Sequence, residues 1–104
     1  MDARRKYAVL WSGSDGPIGT GRLELLDDRV ELSGKEGLLS FPLAGVTGAR
    51  IARAAKERLR GLPVLWVSYR EGGVRIASLE GTGALHEIAR LVETGSPALR
   101  ASGM

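Results

Sequence analysis

Val64-Leu65-Trp66-Val67-Ser68-Tyr69-Arg70, the turn cluster Glu71-Gly72-Gly73, the return Val74-Arg75-Ile76-Ala77-Ser78-Leu79, and then Gly81-Thr82-Gly83-Ala84-Leu85-His86-Glu87-Ile88-Ala89-Arg90-Leu91-Val92 decide the architecture. The first part is dense in β-branched and aromatic residues, which suit a pleated, half-buried surface. The glycine pair makes a turn, so the following segment returns as a hairpin partner. The period then changes. Leu85, Ile88, Ala89 and Val92 fall at i, i+3, i+4 and i+7, the stripe of a helix laid on a core. Thr82 is placed to cap that helix, and Gly95 and Pro97 to stop it, which predicts a helix over 82–94.

Toward the N-terminus the two-residue period persists. Tyr7-Ala8-Val9-Leu10-Trp11 reads as a first strand, followed by a glycine-rich loop from Ser12 to Gly21. Arg22 to Leu25 and Val30 to Ser33 alternate polar and apolar residues around the turn Asp27-Asp28-Arg29. That hairpin puts Leu23, Leu25, Val30 and Leu32 on one face. Leu38 to Leu43 is a fourth strand with Leu39, Phe41 and Leu43 on one face. Pro42, lacking an N–H, confines it to an edge or an ending. Residues 49–60 admit two readings. They are good helix formers, with Ile51, Ala55 and Leu59 on one helical face and Gly61 and Pro63 placed as a stop. They also fit a strand over 47–53 followed by a charged loop.

The chain has 104 residues, 43% hydrophobic and 26% charged, the size and balance of one globular domain. It contains no cysteine, which removes disulfides, thiolate nucleophiles and cysteine metal sites and suits a reducing cytoplasm. The apolar run after the basic N-terminus is too short for a signal peptide or a membrane span.

Several catalytic readings fail on their partners. The Ser12–Gly21 loop lacks the Gly-Lys-Ser/Thr ending and following helix of a phosphate-binding loop. His86 is the one histidine, and no Gly-x-Ser-x-Gly elbow exists to meet it. Asp27 and Asp28 are neighbours in a turn, where aspartates accept local amides rather than face one cleft. Trp11, Trp66 and Tyr69 lie on strands, where such rings bury large apolar area, with Tyr69 on the opposite face from Trp66.

The basic residues are uneven. Arg50, Arg53, Lys56, Arg58 and Arg60 stand against Glu57 alone, a net +4, whereas the whole chain carries +3. Positive charge so concentrated marks these five residues as the candidate site for an anionic partner.

Seven short strands and one amphipathic helix form the element order of the pleckstrin-homology (PH) superfold. The second half resembles a small bacterial PH-like domain in Phe41-Pro42-Leu43-Ala44-Gly45-Val46, Glu57-Arg58-Leu59-Arg60-Gly61, Leu65-Trp66-Val67-Ser68-Tyr69, Val74-Arg75-Ile76-Ala77-Ser78-Leu79 and Gly81-Thr82-Gly83-Ala84-Leu85-His86-Glu87-Ile88. The resemblance covers residues 7–94, leaving 1–6 as a charged arm and 95–104 as a disordered tail. It implies a mainly β (α+β) fold, a bent antiparallel sheet or barrel of about seven strands capped by one C-terminal helix. It also favours strand plus loop over 47–60. The implied function is a cytoplasmic, non-catalytic scaffold, without cofactor or metal, that binds a protein or peptide. The alternative is weak electrostatic binding of anionic lipid or nucleic acid through residues 50–60. In lipid-binding members a lysine late in the first strand and basic residues at the start of the second clamp inositol phosphates. Here Lys6 precedes the expected first strand, and the second offers Arg22 followed by Glu24, which speaks against phosphoinositide-specific recognition.

Overall fold

Phe41 and Tyr69 stack with ring centroids 4.5 Å apart and planes 6° from parallel. They come from strands at the first and sixth positions across a seven-stranded sheet, so the sheet must curl to bring them together. This is seen in a computed structural model that describes residues 5–13, 17–35 and 37–97. The strands are β1 (Arg5–Gly13), β2 (Gly19–Leu25), β3 (Arg29–Gly34), β4 (Gly37–Pro42), β5 (Val46–Ala52), β6 (Val64–Tyr69) and β7 (Gly72–Ser78), followed by helix α1 (Thr82–Gly95). The order across the sheet is β4-β3-β2-β1-β7-β6-β5, with antiparallel pairing throughout.

The expected alternation is present in the register. Leu23 lies opposite Leu32 and Leu25 opposite Val30, and all four are buried. Pro42 ends β4, which is an edge strand as its missing N–H requires. Between residues 49 and 60 the chain is strand, then loop: β5 pairs with β6, and the helical tendency survives only as a 3-10 turn at Ala55–Glu57. Helix α1 packs on β5, β6 and β7 and buries Leu85, Ile88 and Val92 against the inner face of the sheet. Each such side chain contributes about 1.5–3 kcal/mol of burial free energy.

Several boundaries differ from the expected ones. The glycine-rich loop is shorter than Ser12 to Gly21, because Ser12 and Gly13 pair with β7 as part of β1 and Gly19 to Gly21 pair with β1 as part of β2. The charged arm is shorter than 1–6, because Arg5 and Lys6 already pair with Leu25 and Glu24 in β1. Leu43 does not extend β4 but opens a 3-10 turn, Leu43–Gly45, its N–H donating to Asp28 O at 2.9 Å. Thr82 is the first helical residue and not the cap. Gly81 takes the cap position with φ 102°, a conformation glycine reaches without strain at this reversal from sheet to helix. The domain also extends beyond Gly95: Ser96 is buried and its hydroxyl donates to Val46 O at 3.2 Å. Residues 1–4 of the arm and 98–104 of the tail lie outside the described residues.

Helix and sheet are tied at one rim by Tyr7, whose part-buried hydroxyl donates to Glu87 Oε1, with Arg5 Nη1 3.8 Å from the same oxygen. Burial, reinforced by the Glu87 carboxylate, pushes the Tyr7 phenol up to about 12. The folded state therefore keeps this proton where the unfolded chain has lost it. The stabilisation is complete below pH 10 and declines as pH rises from 10 towards 12. Glu87→Gln should lower the phenol's titration midpoint in a spectrophotometric titration. An unmoved midpoint would show that the carboxylate plays no part.

Candidate functional site

The sheet is buried on both faces over part of its width. On the outer, convex side of β1, β7, β6 and β5, Leu10, Ala77, Val64 and Ala52 form a second apolar cluster with Leu59, packed by Ile18, Leu62 and Trp66. Leu59 and Leu62 belong to the segment between β5 and β6, the stretch that carries the basic residues. The charged loop therefore folds back across the sheet. It is held by Leu59, 0% exposed, and by a two-residue turn in which Leu59 and Leu62 exchange N–H···O bonds of 3.0 and 2.9 Å. Arg60 (φ 50°) and Gly61 (φ 83°) form that turn, the paired left-handed conformations of a tight hairpin.

The five basic candidates do not act as one free cluster. Arg58 Nε donates to Arg53 O at 2.9 Å, closing the loop on itself. Arg53 Nη2 lies 3.0 Å from His86 Nε2. A guanidinium can only donate, so the imidazole accepts and the loop is latched to α1. Arg50 Nη2 pairs with Glu57 Oε1 at 3.1 Å. Lys56 and Arg60 are exposed, held out by the anchored loop.

Two further residues complete this face. Arg50 lies opposite Trp66 across β5–β6, and Trp66 opposite Arg75 across β6–β7, so the three form one row. Both guanidinium carbons lie over the indole, 5.8 and 5.5 Å from the ring centroid, in cation–π range. The indole N–H of Trp66 is buried and has no hydrogen-bond partner among the described residues. Beside the row, Gly48, Ala49, Arg50, Trp66 and Ser68 line a shallow depression of about 370 Å³. The strand parity of Trp66 and Tyr69 holds: Tyr69 turns inward onto Phe41 and Trp66 outward. Arg75 escaped the sequence reading because its neighbour is set by hairpin register. The turn is Arg70-Glu71, with β7 resuming at Gly72, and not Glu71-Gly72-Gly73.

A second concavity, about 730 Å³, lies on the outer side of β1–β3 between Lys6, Arg22 and Lys35. Lys6 is the second residue of β1, a correction to its expected place before the strand, yet it stands at the strand's start and not near its end. The departure from the lipid-binding pattern therefore remains. His86 and the turn aspartates Asp27 and Asp28 are exposed and lie on separate elements. Among the described residues no group of three or more His, Cys, Asp or Glu could hold a metal ion, and no helix is long and apolar enough to cross a membrane.

No family model matches the chain, and no curated protein matches it. Solved structures do. The C-terminal domain of an unknown protein from Leishmania infantum superposes with a TM-score of 0.66 at 8% identity, over 85% of this chain and 81% of that one. The linker-DH/PH domains of p115-RhoGEF superpose with a TM-score of 0.56 at 16% identity, over 88% of this chain and 28% of that longer one. At these identities the likeness concerns the fold. Among the described residues, seven antiparallel strands in one curled sheet, closed by the C-terminal helix α1, make the fold PH-like.

Proposed function

We propose that this chain is a cytoplasmic, non-catalytic interaction module, of the bacterial PH-like kind its sequence resembles, that binds a protein or peptide through the face carrying the basic loop. The carrying observation is the anchoring of that loop. Leu59 pins it to the sheet, Arg58 closes it and Arg53 latches it to α1, so Lys56 and Arg60 project from a fixed support. A preformed surface of arginines beside a tryptophan has the composition of an interaction hot spot, and its ordering cost is met before the partner arrives. The PH-containing neighbour supports a module of this kind by analogy of fold.

The test is affinity capture from cells with a tagged wild-type chain and an Arg53→Glu/Lys56→Glu/Arg60→Glu variant, washed at low and at physiological salt. A discrete protein partner retained at physiological salt by the wild type and lost by the variant is the expected result. Identical capture by both chains would remove the loop from the binding surface. Binding that vanishes at physiological salt, and that vesicles or oligonucleotides reproduce, would favour a general anionic surface instead.

A further inference from the structure

We infer that the partner of the proposed interaction face is an acidic protein segment, gripped by the Arg50–Trp66–Arg75 row across β5, β6 and β7 and not by the basic loop alone. This rests on the interaction-module reading and assigns to it a contact row and a partner chemistry.

Charge selects the occupant's sign. The loop and the row together hold Arg50, Arg53, Lys56, Arg58, Arg60 and Arg75 against Glu57, which Arg50 already engages. Arg75 is partly exposed, lies over Trp66 and makes no ion pair among the described residues. Such a guanidinium offers two parallel donors to a carboxylate, and its seat on the indole restricts its freedom beforehand.

Geometry separates carboxylate partners from other anions. A base-stacking platform needs a free aromatic face, but the indole of Trp66 lies beneath two guanidinium groups. A membrane presents a flat array of headgroups, whereas the row borders a concave depression. Gly48 and Ser68, lacking bulk, leave room there for a partner's side chain. Neighbouring strands stand about 4.8 Å apart, so the backbones of Arg50 and Arg75, two strands apart, are separated by roughly 10 Å. A segment in the polyproline II conformation, with three residues per turn and about 3.1 Å per residue, meets that span with carboxylates at positions i and i+3 on one face.

The experiment is fluorescence anisotropy at physiological salt. The probes are a labelled peptide with aspartates at i and i+3, the same composition with its aspartates adjacent, an oligonucleotide of equal charge, and phosphatidylserine-containing vesicles. The expected order places the i, i+3 peptide first, and Arg75→Ala weakens it about tenfold while leaving the melting temperature unchanged. Wild-type affinity retained by Arg75→Ala, with binding lost in the Arg53→Glu/Lys56→Glu/Arg60→Glu variant, would overturn the row and leave the interaction module standing. Tighter binding of the oligonucleotide or vesicles, or no peptide binding at all, would overturn the acidic-segment partner. Failure of the broader reading shows separately, as capture from cells that charge reversal does not change.

Discussion

Ile88→Asp is expected to abolish the cooperative thermal transition, and Leu85→Asp to do the same. Ile88 is 0% and Leu85 1% exposed, both on the face of α1 that closes the inner core. Aspartate at either position must bury an unpaired carboxylate among aliphatic side chains or expel the helix from the sheet. Either outcome costs several kcal/mol, a large share of the roughly 5–15 kcal/mol that holds a domain together. The exposed face of the same helix supplies the contrast. His86→Ala should change stability by about 0.5 kcal/mol or less, the range of ordinary surface changes. Glu87→Ala should cost about 1 kcal/mol, because it removes the acceptor of the part-buried Tyr7 hydroxyl. Circular dichroism melts of the four variants compare the two faces directly. Similar losses for His86→Ala and Ile88→Asp would mean that the helix is seated differently.

Leu59→Ala is expected to cost about 2–5 kcal/mol, the range for emptying a fully buried leucine site. The effect on the outer face should be larger than the figure suggests. Leu59 fastens the basic loop over the cluster of Leu10, Ala52, Val64 and Ala77, and loosening it uncovers that cluster to water. Urea denaturation should show a lower midpoint with little change in slope. Trypsin should cut the variant faster after Arg53, Lys56, Arg58 or Arg60, since the enzyme needs a segment that can leave the surface. A midpoint and cleavage rate equal to wild type would show that the loop is anchored elsewhere.

Much of the fold was legible because burial on one side of a strand writes itself as alternation. Leu23, Leu25, Val30 and Leu32 disclose both a hairpin and its inward face before any tertiary contact is known. The helix stripe is equally local. Residues 49–60 are harder because their propensity is helical, while their fate is set by the exposed side of β6, with which β5 pairs. Thr82 is an available cap that loses to Gly81, since the reversal after β7 demands a backbone that a threonine would strain. The candidate site was half visible. Composition locates Arg50, Arg53, Lys56, Arg58 and Arg60. It does not disclose that Leu59 pins their loop to a second cluster, or that Arg75 shares a row with Trp66. Alternation tells which way a side chain points and leaves open which strand lies next to it.

Clusters on both sides of β1, β5, β6 and β7, against one side of β2, β3 and β4, divide the sheet into unequal halves. The part made of β1, β5, β6 and β7 is covered by side chains on two faces, which restricts opening of its backbone more than a one-sided covering does. Exposed loop residues such as Lys56 and Arg60 can change their charge or reach without touching the inner core, because the outer cluster and a hydrogen-bonded sheet lie between. A scaffold so partitioned lets selection alter what the surface recognises while the fold beneath it stays constant.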